Sequence, residues 1–248
     1  MTRVALVTGA SSGIGRAAAL ALGDAGWWVL ACGRDEARGA DVAAEVAGRA
    51  GGEFAACDLT EAGSPDRLVE RASAAGRLDV LVNNAGTHFL APVHETEPDA
   101  FDALMALNLR AAVLLARAAI PVMRAGGGGT IVNVSSEAGL VAVPGQAAYN
   151  VSKAALLMLT KSIAVDSAAD GIRAVSVCPG TTRTPLVEAA IASAPDPDAH
   201  ERRLASTRLA GRLGRPEEIA AAIVFAAREE TSFMTGCEIV IDGGYTAV

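Results

Sequence analysis

Two groups of residues have the types and spacing to do chemistry. Tyr149 and Lys153 stand four apart in Tyr149-Asn150-Val151-Ser152-Lys153, where an Ala/Leu-rich helical stretch begins. That spacing puts both side chains on one helix face. An ammonium beside a phenol stabilises the phenolate, so it should draw the tyrosine pKa down from about 10 towards working pH. A general acid–base residue needs that shift. A Tyr and a Lys at this spacing are also common as a solvated surface pair, so the spacing alone leaves both readings open. The second group is Thr8-Gly9-Ala10-Ser11-Ser12-Gly13-Ile14-Gly15, between an apolar run and a helical pattern. Glycines there allow a tight turn and close approach of a pyrophosphate to bare backbone, and the helix N-terminus offers N–H groups to the anion. No Gly-Lys-Ser/Thr follows, which disfavours a P-loop.

A dinucleotide fingerprint of this kind carries an acidic residue about 20 positions on, to hold ribose hydroxyls. This chain has Gly33-Arg34-Asp35 instead. An arginine at that place can meet a 2′-phosphate, which favours NADP(H) over NAD(H). The alternative is a solvated Arg34 with Asp35 on the ribose.

These groups need a scaffold, and the hydrophobic pattern supplies one. Short apolar runs predict strands at 4–8, 27–32, 53–57, 79–82, 130–135, 173–178 and 238–241. Between them lie helical patterns such as 14–25, 101–123 and 147–165. The alternation reads as βαβ crossovers and an α/β fold with helices on both faces of a parallel sheet. Continuous runs such as Val80-Leu81-Val82 suit strands buried on both sides. No Pro/Ser-rich linker, composition break or internal repeat divides 1–248, so one domain is expected. The exception is 185–213, with Pro195, Pro197 and a charged patch. It reads as an irregular segment covering a site.

Composition excludes several classes. Hydrophobic residues are 51% and charged residues 20% of the 248, a globular balance. Net charge is −7 without a basic run, which argues against nucleic acid or an anionic membrane as partner. The apolar run Val4-Ala5-Leu6-Val7 is too short for a signal peptide. Arg117 and Pro121 are expected to interrupt the longest apolar stretch before it reaches a membrane span. Cys32, Cys57, Cys178 and Cys237 form no CxxC pair and read as small apolar residues in a reducing, cytoplasmic compartment. The sequons at Asn133 and Asn150 fall in segments that read as buried. No Cys/His/Asp cluster surrounds His88 or His94, so no metal is expected, although His88 could line a substrate pocket. Trp27-Trp28 reads as packing, and Arg183 as a solvated loop residue or an anchor for an anionic substrate.

The glycine turn, Asn83-Asn84-Ala85-Gly86, Ser135-Ser136 and Tyr149/Lys153 occur in this order, with Asp58, Asn108, Pro179-Gly180 and Thr184 at intervening places. Gly211-Arg212-Leu213-Gly214-Arg215-Pro216-Glu217-Glu218 and Val240-Ile241-Asp242-Gly243-Gly244 close the chain. Over essentially its whole length the sequence resembles the short-chain dehydrogenase/reductase family, including its 3-oxoacyl-carrier-protein reductases and sugar or alcohol dehydrogenases. The resemblance implies a Rossmann-like, doubly wound, seven-stranded parallel sheet. It further implies oxidoreduction between a ketone and a secondary alcohol with a nicotinamide cofactor.

By the same resemblance, Tyr149 exchanges the proton with the substrate oxygen and Ser136, rather than Ser135, hydrogen-bonds that oxygen. Lys153 holds the nicotinamide ribose and tunes Tyr149, and Asn108 holds a water in a proton relay. Gly9, Ser11, Ser12, Gly13, Ile14 and Gly15 would line the pyrophosphate, and Arg34 the 2′-phosphate. Asp58 and Leu59 would lie by the adenine, and Asn84, Ala85 and Gly86 by the adenosine ribose and diphosphate. Pro179, Gly180, Thr182 and Thr184 would meet the carboxamide and pyrophosphate. A homotetramer acting on a small ketone or alcohol is the implied assembly. The competing reading is a dinucleotide-binding regulator that keeps the fold without turnover.

Overall fold

The computed structural model of the chain describes residues 1–247. Its seven strands are β1 (Arg3–Thr8), β2 (Trp28–Gly33), β3 (Gly52–Ala56), β4 (Arg77–Asn83), β5 (Gly129–Val134), β6 (Ile172–Pro179) and β7 (Cys237–Ile241). They form one sheet in the order β3-β2-β1-β4-β5-β6-β7, every pair parallel. Each expected strand is present, with ends moved by no more than two residues.

Along β1, Ala5 and Val7 enter one core while Val4 and Leu6 enter the other. The first core is closed by α1 (Gly13–Asp24), α2 (Glu36–Ala47) and α9 (Pro216–Ala227), through residues such as Leu22, Val42 and Ile223. The second is closed by α3 (Ser64–Ala75), α5 (Ala111–Ala125) and α6 (Ala147–Ser167), through Leu68, Leu115 and Ile163. Burial on both faces is why inner strands such as β1 and β2 show no polar alternation. Trp27 packs in the first core with the Arg3 guanidinium 4.7 Å from its ring centroid, as expected of a packing residue.

Two expectations need correction. The apolar stretch is not interrupted: α4 (Pro98–Met105), a π turn at Ala106–Arg110 and α5 run on as one helix, Pro98–Ala125. By length and composition this helix could cross a membrane. In this structure it lies along the sheet with Leu104, Ala111, Leu115, Ala119 and Met123 buried. Pro121 is tolerated because it sits on the exposed side, where the carbonyl it leaves unpaired can be hydrated. Arg117 points outward to Asp66 of α3, at 2.7 Å. The segment 185–213 is also not irregular. It holds α7 (Pro185–Ala192) and α8 (Pro197–Ser206), each with proline in its first turn. Thr184 caps the first through Val187 N and Asp196 the second through Ala199 N.

Strand order reverses between β1 and β4, so the crevice at their carboxyl ends is where such sheets bind ligands. Thr8 and Asn83 end those two strands, which brings the glycine turn and the Asn84-Ala85-Gly86 turn together.

Candidate active site

Thr8 joins the two turns. Its hydroxyl donates to Val82 O at 3.1 Å and accepts from Asn84 N at 3.0 Å and Ala85 N at 3.1 Å. Asn84 Nδ2 donates back to Thr8 O at 2.9 Å. Contact is then so close that a Cβ on Gly15 would lie 2.2 Å from Gly9 O and 2.4 Å from Asn84 Nδ2. Gly9 and Gly13 have φ of +64° and +55°, in the left-handed region where a Cβ is strained. Ser12 precedes α1 without capping it by its side chain, so the first-turn N–H groups of Gly13, Ile14 and Gly15 stay available to an anion. Thr184 Cγ2 would be 3.1 Å from a Cβ on Gly13, so the base of 185–213 abuts the turn. These features fit a dinucleotide pyrophosphate lying on backbone.

Around that cradle, Ser11, Ser12 and Gly13 line an open groove of about 570 Å³ shared with Arg16, Arg38 and Pro185. Arg34 is exposed at the end of β2. Asp35 caps α2 by accepting from Arg38 N at 3.0 Å and pairs with the Arg38 guanidinium at 3.2 Å. Asp58 accepts from Thr60 N and Thr60 Oγ1, at 2.8 and 2.7 Å. Those bonds, helped by the Arg34 charge, hold its carboxyl below the usual range. Leu59 is buried in the second core, so its side chain packs. Pro179 and Thr182 are buried and Gly180 half-buried, with Thr182 Oγ1 donating to Gly180 O at 2.9 Å.

Across the crevice, α6 carries Tyr149 and Lys153. Lys153 is only 4% exposed, and its Nζ donates to Val134 O at 2.9 Å, 5.5 Å from the Tyr149 ring centroid. Ser136 follows β5 and faces the Tyr149 phenol, while its Oγ accepts from Ala138 N at 3.1 Å. Ser135 Oγ donates instead to Lys153 O at 2.7 Å, so of the two serines only Ser136 is turned to the tyrosine. His88 meets the Tyr149 ring edge-on at 6.1 Å between centroids, and burial lowers its pKa, keeping it neutral.

The expected electrostatics of Tyr149 are overturned for the protein alone. Burial pushes its phenol above the usual value, the Ser136 hydroxyl pulls it back, and the Glu137 charge raises it again. Lys153, also desolvated, drops from 10.5 to about 8. Sharing a helix face did put the two side chains together, but the ammonium reaches past the ring to a strand carbonyl. Desolvation is the largest influence on both groups.

Asn108 sits in the π turn, 1% exposed. Its Oδ1 accepts from Thr87 N at 2.8 Å, and its Nδ2 donates to Thr87 O at 2.9 Å and Ser152 Oγ at 3.1 Å. Its side chain therefore holds the turn after Gly86 against α6. Two contributors escaped the sequence reading, Thr8 and Ser152, whose hydroxyl also donates to Tyr149 O at 2.8 Å. Both lie inside recognised motifs, and their positions as a strand's last residue and within the Tyr–Lys interval were the available signal. Among the described residues, no three His, Cys, Asp or Glu side chains are grouped to hold a metal ion.

Residues 9–246 match the family model described as Enoyl-(Acyl carrier protein) reductase. An uncharacterized oxidoreductase of Thermotoga maritima is 44% identical, over 99% of this chain and 98% of that protein. The cis-4-hydroxycyclohexanecarboxylate dehydrogenase of Sinomonas cyclohexanicum is 42% identical, over 99% and 97%. A solved structure from Beutenbergia cavernae, described as a NAD(P)-dependent gluconate 5-dehydrogenase with bound NADP at low occupancy, superposes with a TM-score of 0.91. It is 35% identical, over 99% of this chain and 97% of that one.

Proposed function

The chain belongs to the short-chain dehydrogenase/reductase family, and from that premise we propose how its site works. It is an NAD(P)-dependent oxidoreductase that interconverts a ketone and a secondary alcohol. One observation carries the catalytic assignment: the Ser136 hydroxyl and the Tyr149 phenol face each other above a buried Lys153, across the crevice from the glycine turn.

A nicotinamide cofactor held in this crevice would supply or accept the hydride. Ser136 orients the substrate oxygen by hydrogen bonding and strengthens that bond as charge develops there. Tyr149 gives its proton to that oxygen in reduction and takes it back in oxidation. Lys153 Nζ binds the nicotinamide ribose and biases Tyr149, and Asn108 keeps the 86–88 turn against α6. The backbone of residues 9–15 and the α1 N-terminus hold the pyrophosphate, Asp58 the adenine, and residues 84–86 the adenosine ribose. Pro179, Gly180, Thr182 and Thr184 frame the nicotinamide end, and 185–213 covers the substrate.

NADP(H) is the preferred cofactor. Gly33 offers no carboxylate, Asp35 is committed to the α2 cap and to the Arg38 guanidinium, and the exposed Arg34 at the end of β2 is left to meet a 2′-phosphate. The alcohol is a small, ring-bearing or polyol-like molecule, by analogy with the hydroxycyclohexanecarboxylate and gluconate relatives. Two separate apolar faces support a homotetramer: Val151, Met158 and Val165 on α6, and Phe225, Phe233 and Val240 near β7. Its scattered, unpaired thiols suit a reducing cytoplasm.

The test is a turnover screen of ketones and polyols with each nicotinamide, repeated with Tyr149→Phe. NADPH binding should persist in the variant while turnover falls by at least about 10²–10⁴-fold, the usual worth of general acid–base catalysis. Near-normal turnover by folded Tyr149→Phe would refute the role given to Tyr149, whereas cofactor binding by the parent without turnover of any substrate would favour the silent-regulator reading.

A further inference from the structure

Directly after Ser136 comes a buried charge that the mechanism above leaves unused. Glu137 is 6% exposed and pairs with Arg208, 7% exposed, through Oε1 and Nη2. Arg208 lies just beyond α8. Its Nη2 also donates to Thr181 Oγ1 at 2.5 Å, its Nη1 to Leu204 O at 3.0 Å, and its guanidinium lies 4.7 Å from the Tyr245 ring centroid. One side chain thus joins the turn that holds Ser136, the turn of residues 179–184, the covering segment and the C-terminal end. Packing around the pair is tight: a Cβ on Gly180 would lie 2.8 Å from Glu137 Oε2 and 2.6 Å from Asp242 Cα. Glu137 Oε2 and Arg208 Nε are buried without partners.

For stability alone this is a poor arrangement. Burying two charges costs more than an apolar pair of like volume, and the orphaned atoms add to that cost. What an ion pair adds is direction, because a guanidinium bonded to both Glu137 and Thr181 fixes the two turns in register. We propose that Glu137 and Arg208 are a positioning pair that sets Ser136, and with it the reacting oxygen, against the nicotinamide side of the cleft. The proposal rests on the roles of Ser136 and Tyr149 given above. Misplacing reacting groups by about 1 Å can cost about a hundredfold in rate, so modest slack between the turns would be felt in kcat.

Electrostatics couple the pair to the acid–base residue. The charged or titratable groups facing Glu137 are Arg208, Asp242 and Tyr149. Burial pushes the Glu137 carboxyl up to about 7, Asp242 pushes the same way and Arg208 opposes. The Glu137 charge in turn raises the Tyr149 phenol.

The experiment compares Glu137→Gln, Arg208→Met, their double variant and Tyr149→Phe, using the best substrate of the screen. It records kcat, NADPH affinity by fluorescence titration, melting temperature and the pH profile of alcohol oxidation. Each single change should lower kcat by about tenfold or more while the NADPH Kd stays within about threefold. In the double variant no unpaired charge is left buried, so its melting temperature should exceed that of Arg208→Met while kcat stays low. The pH limb of oxidation should move to lower pH in Glu137→Gln, because the charge that raises Tyr149 is gone. A kcat that returns together with melting temperature in the double variant, or folded single variants within twofold of the parent with an unmoved limb, would overturn the proposal. An active Tyr149→Phe would instead remove the reading of the site on which it rests.

Discussion

Lys153→Met should stabilise the cofactor-free protein and destroy its activity. Lys153 is buried, and its pKa falls from 10.5 to about 8. At about 1.4 kcal/mol per pKa unit, holding its charge at pH 7 costs on the order of 3 kcal/mol of folding stability. Its single hydrogen bond, to Val134 O, returns about 1 kcal/mol. Methionine fills a similar volume without the charge, so a net gain of about 2 kcal/mol is expected, or roughly 4–8 °C in melting temperature for a chain of this size. The folded pKa lies below the unfolded one, so the cost is complete below pH 8 and fades as pH rises from 8 to 10.5. Melting curves at pH 7 and pH 10 should therefore show the gap between variant and parent closing. Saturating NADPH should reverse the order at pH 7, because a ligand at about 100 times its Kd adds about 2.7 kcal/mol, and only the parent has the ammonium to bind it well. A variant that melts below the parent at pH 7, or a gap indifferent to pH, would refute the claim that desolvation dominates at Lys153.

The two serines should differ in function rather than in stability. Each change removes one buried hydrogen bond, from Ala138 N in Ser136→Ala and to Lys153 O in Ser135→Ala, and should cost about 1 kcal/mol of stability, but only Ser136→Ala should lower kcat strongly. Steady-state kinetics beside thermal melting would show both. Arg34→Ala should cost roughly 1.5–3 kcal/mol of NADPH binding and leave NADH nearly unchanged. Tighter NAD(H) binding by the parent in the same titration would sink the cofactor assignment. Light scattering at micromolar concentration should give a tetramer, and Met158→Glu on the exposed α6 face should yield smaller species. A clean monomer of the parent would contradict this assembly.

Local order in the sequence determined most of the architecture. Short apolar runs marked the seven strands, unbroken in inner strands such as β1 and β2, since strands covered on both faces need no polar positions. Glycines 9, 13 and 15 marked the cradle, because only a residue without Cβ suits those angles and contacts. The four-residue step from Tyr149 to Lys153 marked one face of α6, and the resemblance to the family added Ser136 to it. Proline was misread twice, as a helix breaker at 121 and as irregularity at 195 and 197. Its effect depends on whether the freed carbonyl meets water and whether the ring falls in a helix's first turn. The rest required contacts between residues far apart in the chain. Thr8 reaches across to Asn84 and Ala85, Asn108 to Thr87 and Ser152, and Glu137 to Arg208. Nor could spacing reveal that Lys153 Nζ turns to a strand carbonyl, or that desolvation raises Tyr149 and lowers Lys153. A pKa is set by the whole surroundings of a group, and those surroundings exist only once the sheet, α6 and the turn that follows β5 have come together.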